Sequence, residues 1–118
     1  MKDFKKLIIW QRGIELAVEA YDLTKQLPKE EIYGLSSQIK RAAVSIPANI
    51  AEGCSRESDK DYRKFLRTSL GSAFELQTHL IVAERLKFIR SIDVNKFFMD
   101  LYVEQKQINT LISRLKGR

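Results

Sequence analysis

The chain holds one histidine and one cysteine, which at once narrows the covalent and metal chemistry open to it. His79 follows Glu75 at i,i+4, a spacing that puts the two side chains on one helix face. Di-iron bundles instead use Glu-x-x-His together with further inward carboxylates, so this pair does not supply a metal site. Cys54 has no histidine near it in sequence to activate it, and a solitary cysteine at a helix end reads as inert. It also excludes an intramolecular disulfide framework and fits a reducing compartment. Gly53 and Gly71 are isolated, so no glycine-rich loop is available to cradle phosphates. No catalytic residue, no metal and no cofactor is expected, and the chain reads as a non-enzyme.

The remaining chemistry is ionic. Lys and Arg number 21 against 15 Asp and Glu, which gives a net charge of +6 and a pI near 9.6. That balance favours attraction to nucleic acid or another anionic surface, and it also serves solubility alone. The run "SRESDKDYRKFLR" sets Lys60, Arg63, Lys64 and Arg67 on one broad helical face, with Arg56 just before it. Lys40 and Arg41, on the preceding helical stretch, are candidates to join them. Such a patch would hold RNA or DNA by its phosphates without reading sequence. Glu57, Asp59 and Asp61 are interleaved with it, so an ordinary solvated and salt-bridged helix surface fits the same residues. Tyr62 and Phe65 fall at core spacing and Trp10 reads as a core or interface anchor, so none of the three argues for base recognition.

These residues must be positioned by helices. The 118 residues are one domain's worth, 1–118, and the composition, with 44% hydrophobic and 31% charged residues and only two Pro, is globular and rich in helix formers. Apolar periodicity predicts helices over about 7–26, 35–53, 59–87 and 92–115. The first carries two adjoining apolar stripes, one of Leu7, Trp10, Ile14, Ala17, Val18 and Tyr21 and one of Ile9, Gly13, Leu16, Ala20, Leu23 and Leu27, as expected of a helix touching more than one partner. Ser58 with Asp61 resembles an N-cap for the third helix, Ser91 or Asp93 can cap the fourth, and Gly53 suits a C-terminal cap of the second. The last residues, Lys116 to Arg118, are expected to fray. With no strand pattern and short connections, the expected fold is all-α, an antiparallel up-down-up-down four-helix bundle. No run approaches a membrane span and no uninterrupted apolar leader is present, so the expected location is cytoplasmic.

The second helix is unusual. Pro47 interrupts the stretch "QIKRAAVSIPANIAEG" and predicts a kink or break, while Gln38, Arg41, Ser45, Asn49 and Glu52 form a polar line beside the apolar one. The third helix repeats the pattern with Thr68, Ser72, Glu75 and His79, and its Gly71 predicts close approach of another backbone. Stripes of small amides and hydroxyls suit a partly buried contact whose hydrogen bonds are met internally or across subunits. Gln38, Arg41, Ser45, Asn49, Glu52, Ser72 and Glu75 are therefore candidate oligomer contacts, with Arg41 opposite Glu75 or Glu52 as a candidate ion pair.

"WQRGIELAVEAYDLTKQLPKEEIYGL", "SQIKRAAVSIPANIAEG" and "SRESDKDYRKFLRTSLGSAFELQTHL" together resemble the four-helix-bundle family encoded in intervening sequences of bacterial 23S ribosomal RNA genes. The resemblance runs from Phe4 to about Ile89; the fourth helix matches only in length and amphipathic character. The family looks related to the accessory variability protein of diversity-generating retroelements, a four-helix bundle that assembles as a pentameric barrel and binds nucleic acid. The resemblance implies a bacterial homopentamer that binds RNA or DNA, and leaves open whether ribosomal RNA is concerned. The alternative is a scaffold that docks a protein partner without binding nucleic acid, which would show far less sensitivity to salt.

Overall fold

The computed structural model describes residues 2–117. Four helices account for most of them: α1 (Ile8–Thr24), α2 (Leu35–Cys54), α3 (Asp59–Arg85) and α4 (Ser91–Lys116). No strand occurs among the described residues, and two short 3-10 turns, Phe4–Lys6 and Lys29–Glu31, precede α1 and α2. Arg118 of the expected fraying end lies outside the described residues, and α4 holds through Lys116.

Each helix packs on its two sequence neighbours, and α1 closes the ring against α4. Contacts along each pair run in opposite senses. Gly13 meets Pro47 while Tyr21 meets Lys40; Gly53 meets Tyr62 while Ser45 meets Ser72; Arg63 reaches Leu115 while Gln77 meets Gln105; Arg12 meets Gln107 while Gln26 meets Asp93. Adjacent helices are thus antiparallel in an elongated body of 46 × 24 × 20 Å. The apolar positions of all four helices merge into one core that includes Leu16, Ile39, Ile46, Ile50, Leu66, Leu76, Leu80, Phe97, Leu101 and Ile108.

The helix ends follow local chemistry. The Ser58 hydroxyl accepts from the Asp61 N–H at 3.1 Å, the expected cap of α3. The start of α2 is capped from outside by Glu31, whose carboxylate accepts from the Leu35 N–H at 3.0 Å. At α4 neither expected cap forms: the helix begins at Ser91, and Asp93 instead accepts from Arg90 Nε at 2.9 Å and Gln26 Nε2 at 3.0 Å, tying the helix start to the end of α1. Helix α3 stops at Arg85 rather than Lys87. Lys87 takes a left-handed φ of 64°, and the Phe88 N–H donates to the Ala83 carbonyl, a Schellman ending.

Pro47 does not break α2, which is helical from Leu35 to Cys54. Its ring is buried beside Gly13 of α1, where the missing side chain leaves room for it. Gly53 is not a terminal cap either. It lies inside α2 under α3, where a Cβ would come within 2.9 Å of Tyr62 Cδ1. Gly71, read as a point of close backbone approach, faces open space, with nothing within 4 Å of a Cβ built there. Gly71→Ala should therefore raise stability by up to about 1 kcal/mol in chemical denaturation, through helix propensity alone. A loss would show that a partner backbone covers Gly71.

Candidate nucleic-acid interface

The antiparallel arrangement gathers chain segments that are far apart in sequence at one end of the bundle. Lys2, Lys5 and Lys6 lie just before α1, Arg56 follows α2, and Lys60, Arg63, Lys64 and Arg67 occupy the first turns of α3. The end of α4 adds Arg114 and Lys116. Only Asp3, Glu52, Glu57, Asp59 and Asp61 oppose these ten cations, a formal surplus of five. Over residues 11–49 five basic and five acidic side chains cancel, and over 68–109 five cancel five again. Along the described chain the whole excess in the formal count therefore sits at this end, the basic pole.

Contacts join the segments of the pole. The Lys2 N–H donates to the Cys54 carbonyl at 3.5 Å, Phe4 packs edge-on to Trp10, and Lys2 Nζ lies 4.9 Å over the Tyr62 ring. Arg56 stacks 4.5 Å over Phe65 and pairs with Glu52 at 2.8 Å. Lys60, Lys64 and Arg67 are exposed and enter no ion pair among the described residues.

Several proposed phosphate contacts sit elsewhere or are already engaged. Lys40 and Arg41 are near the start of α2, which the antiparallel turn sends to the opposite half of the molecule from Lys60 and Lys64; Lys40 lies over Tyr21 at 5.1 Å. Arg63 is half-buried, and its Nη1 donates to the Leu115 carbonyl at 3.1 Å, one of the carbonyls the end of α4 leaves free. Arg63→Gln should thus cost about 1 to 2 kcal/mol in urea unfolding, the worth of a charged hydrogen bond, while Lys64→Gln leaves stability within about 0.5 kcal/mol. Lys2, Lys5, Lys6, Arg114 and Lys116 were not singled out in the sequence because only the fold brings them beside α3.

The polar stripes of α2 and α3 meet within the chain at one pair of residues. Ser45 and Ser72 hydroxyls are 2.8 Å apart, and Asn49 Nδ2 donates to the Ser45 carbonyl at 2.8 Å. Fully buried Ser69 donates to the Ile46 carbonyl at 2.8 Å. Gln38 is half-buried, whereas Arg41, Glu52 and Glu75 are exposed. Arg41 pairs with neither expected acid: Glu52 is about three turns away on the same helix and bonds Arg56, and Glu75 approaches His79 at 3.4 Å. On α1 the second stripe enters the core, while Ile14, Val18 and Tyr21 of the first remain 40%, 66% and 45% exposed.

The most perturbed group is one the sequence reading passed over. Glu104 on α4 is 0% exposed, and neither carboxylate oxygen has a hydrogen-bond partner. Its Oε2 lies near Gly13 of α1, the residue that Pro47 of α2 also approaches. Burial pushes its carboxyl up from 4.5 to about 8 and outweighs the opposing charge of Arg12. Its spacing from Leu101 and Ile108, three and four residues, is the signal that marks it as inward. Nearby on the α1–α4 seam, Glu19 is raised first by burial and then by Asp100. Asp93 is lowered by its hydrogen bonds from Arg90 and Gln26. At the end opposite the pole, a cleft of about 920 Å³ opens between α1 and α4 around Tyr21, Ile92 and Lys96.

Among the described residues no cluster of three or more His, Cys, Asp or Glu is placed to hold a metal ion, and no helix is long and apolar enough to cross a membrane. Fold and charge together define a small four-helix bundle with one electropositive end. The chain belongs to the 23S rRNA-intervening sequence protein family, whose model matches residues 5–112 and so includes most of α4, beyond the reach of the motifs in the first three helices. It is similar to a crystal structure of a protein of unknown function from the S23 ribosomal protein family of Bacteroides thetaiotaomicron. The TM-score is 0.82 at 26% identity, over 89% of this chain and 98% of that one. No curated protein matches the chain.

Proposed function

We propose that this protein is a cytoplasmic, non-enzymatic, self-associating bundle that binds RNA or DNA without sequence preference through exposed cations of α3, chiefly Lys60, Lys64 and Arg67. The observation that carries this reading is the charge distribution. A surplus concentrated at one end, with the rest of the described chain balanced in formal charge, concentrates the field where a polyanion would approach. Self-association is supported by Ile14, Val18 and Tyr21, an apolar strip on the outside of α1 that the chain itself leaves uncovered. The pentameric stoichiometry in this reading is carried over from the resemblance of the sequence motifs to a family related to pentameric bundles.

The same α1 strip supports a second reading, a scaffold that docks a protein and binds no nucleic acid. Light scattering of the purified protein, with and without RNA at low and moderate salt, separates them. The expected result is a discrete oligomer whose RNA affinity falls steeply with salt and is lost on Lys60→Glu/Lys64→Glu/Arg67→Glu substitution. A monomer would remove the assembly reading, and an oligomer indifferent to RNA at low salt would leave the scaffold.

A further inference from the structure

We infer that the partner of the basic pole is double-helical nucleic acid, gripped by its phosphates alone, with the N-terminal segment and the end of α4 forming part of the grip. The inference rests on the nucleic-acid reading above and adds which form of nucleic acid is bound and which residues extend the site.

Single strands are held by aromatic planes on which unstacked bases lie, in addition to cations that follow the backbone. The basic pole offers no fully exposed ring. Tyr62 is buried under Lys2, Phe65 is half-buried under Arg56, and Trp10 is half-buried against Phe4. The exposed aromatic rings among the described residues, Tyr21, Tyr33, Phe74 and Tyr102, all lie in the charge-neutral remainder of the chain. Where cations are in excess, the aromatic rings are buried or half-buried, and two of them lie under cations. A surface of this kind binds a partner whose bases are already stacked on one another and whose phosphates face outward.

The spread of the charges fits as well. They come from the segments at the ends of all four helices, so they cover a cross-section of 24 × 20 Å instead of a single groove. That width is comparable to about seven base pairs of duplex at 3.4 Å each, enough to present several phosphates at once. Lys5 and Lys6 before α1 and Arg114 and Lys116 at the end of α4 are exposed and enter no ion pair among the described residues. They widen the site beyond the α3 residues.

The test is fluorescence anisotropy of the full chain with a duplex of about 20 base pairs and an unstructured single strand of about 20 nucleotides across a salt series. The duplex should bind at least about tenfold more tightly. Lys5→Gln/Lys6→Gln/Arg114→Gln/Lys116→Gln should weaken duplex binding by about 100-fold at low salt and reduce the salt slope by about three. The charge-matched Lys25→Gln/Lys29→Gln/Arg85→Gln/Lys87→Gln variant, outside the pole, should stay within about threefold of the unaltered protein. Circular dichroism of both variants confirms that each is folded. Equal or tighter binding of the single strand, or equal losses in the two variants, overturns the inference while leaving nucleic-acid binding in place. Failure to bind either probe at low salt removes the nucleic-acid reading itself.

Discussion

Glu104→Gln should stabilise the protein by about 3 kcal/mol at pH 7 and by about 4 to 5 kcal/mol above pH 9, with little change near pH 4. The cause is a carboxyl with no exposure and no hydrogen-bond partner on either oxygen. Burial raises it from 4.5 to about 8 in the folded protein, whereas the unfolded chain ionises it at its ordinary value. A group whose folded pKa is raised contributes its full stability below the unfolded value. That contribution is lost progressively as pH climbs from about 4.5 through about 8, because the unfolded state then binds fewer protons than the folded state. Glutamine keeps the shape of the protonated acid and cannot ionise, so the gap between variant and parent should widen across that window. Urea unfolding at pH 4, 7 and 9 measures it directly, and Glu104→Met should show the same pH-independence with the polar atoms removed altogether. A gap that stays constant with pH would mean Glu104 is solvated or paired in solution. Because Glu104 lies by Gly13 and near Arg12, the helix seam that its ionisation should loosen first is α1–α4.

The second large effect is expected at Gly53. Inside a helix a glycine ordinarily costs about 1 kcal/mol relative to alanine, so a substitution there would be favourable if space allowed. Here a Cβ would stand 2.9 Å from Tyr62 Cδ1 and 3.1 Å from Phe65 Cβ. Tyr62 is itself buried, and Phe65 lies under Arg56, so neither can withdraw without opening the α2–α3 junction. Gly53→Val should lose about 2 to 3 kcal/mol, in the range of overpacked cores, and thermal melting should fall accordingly. The contrast with Gly71→Ala, which should gain stability, makes the pair diagnostic: both glycines lie within helices, and only their surroundings differ. Retained stability in Gly53→Val would show that α3 is free to shift away from α2. Because the junction carries Arg56 and Lys60, the same variant should also weaken the nucleic-acid binding proposed above.

The parts of this molecule that the sequence determined by itself are those fixed by neighbours three or four residues apart. The four helices, the Ser58 cap with Asp61, and the inward positions of Ile39, Ile46, Leu66, Leu76 and Ile108 all follow from helical spacing, which is a property of the chain segment alone. Spacing also showed that α1 has more apolar surface than one contact needs, and Ile14, Val18 and Tyr21 do remain outside. It fell short wherever an outcome depended on what lies across the gap. Pro47 lies in a helix that runs on to Cys54, and its ring fits against α1 because Gly13 leaves it room; Gly53 is a packing point because Tyr62 and Phe65 press on it; Gly71 has no such neighbour. Arg63 looks like its neighbours Lys60 and Lys64 in the sequence, yet it is committed to a carbonyl of α4. Lys40 and Arg41 precede the α3 cations by only some 20 residues but lie toward the other end, while Lys5 and Arg114, at the two extremes of the chain, are brought to the same one. Charge acts through space over about 10 Å, not along the sequence, so the location of the surplus was set by the antiparallel return of each helix and could be read only once the four ends were assembled.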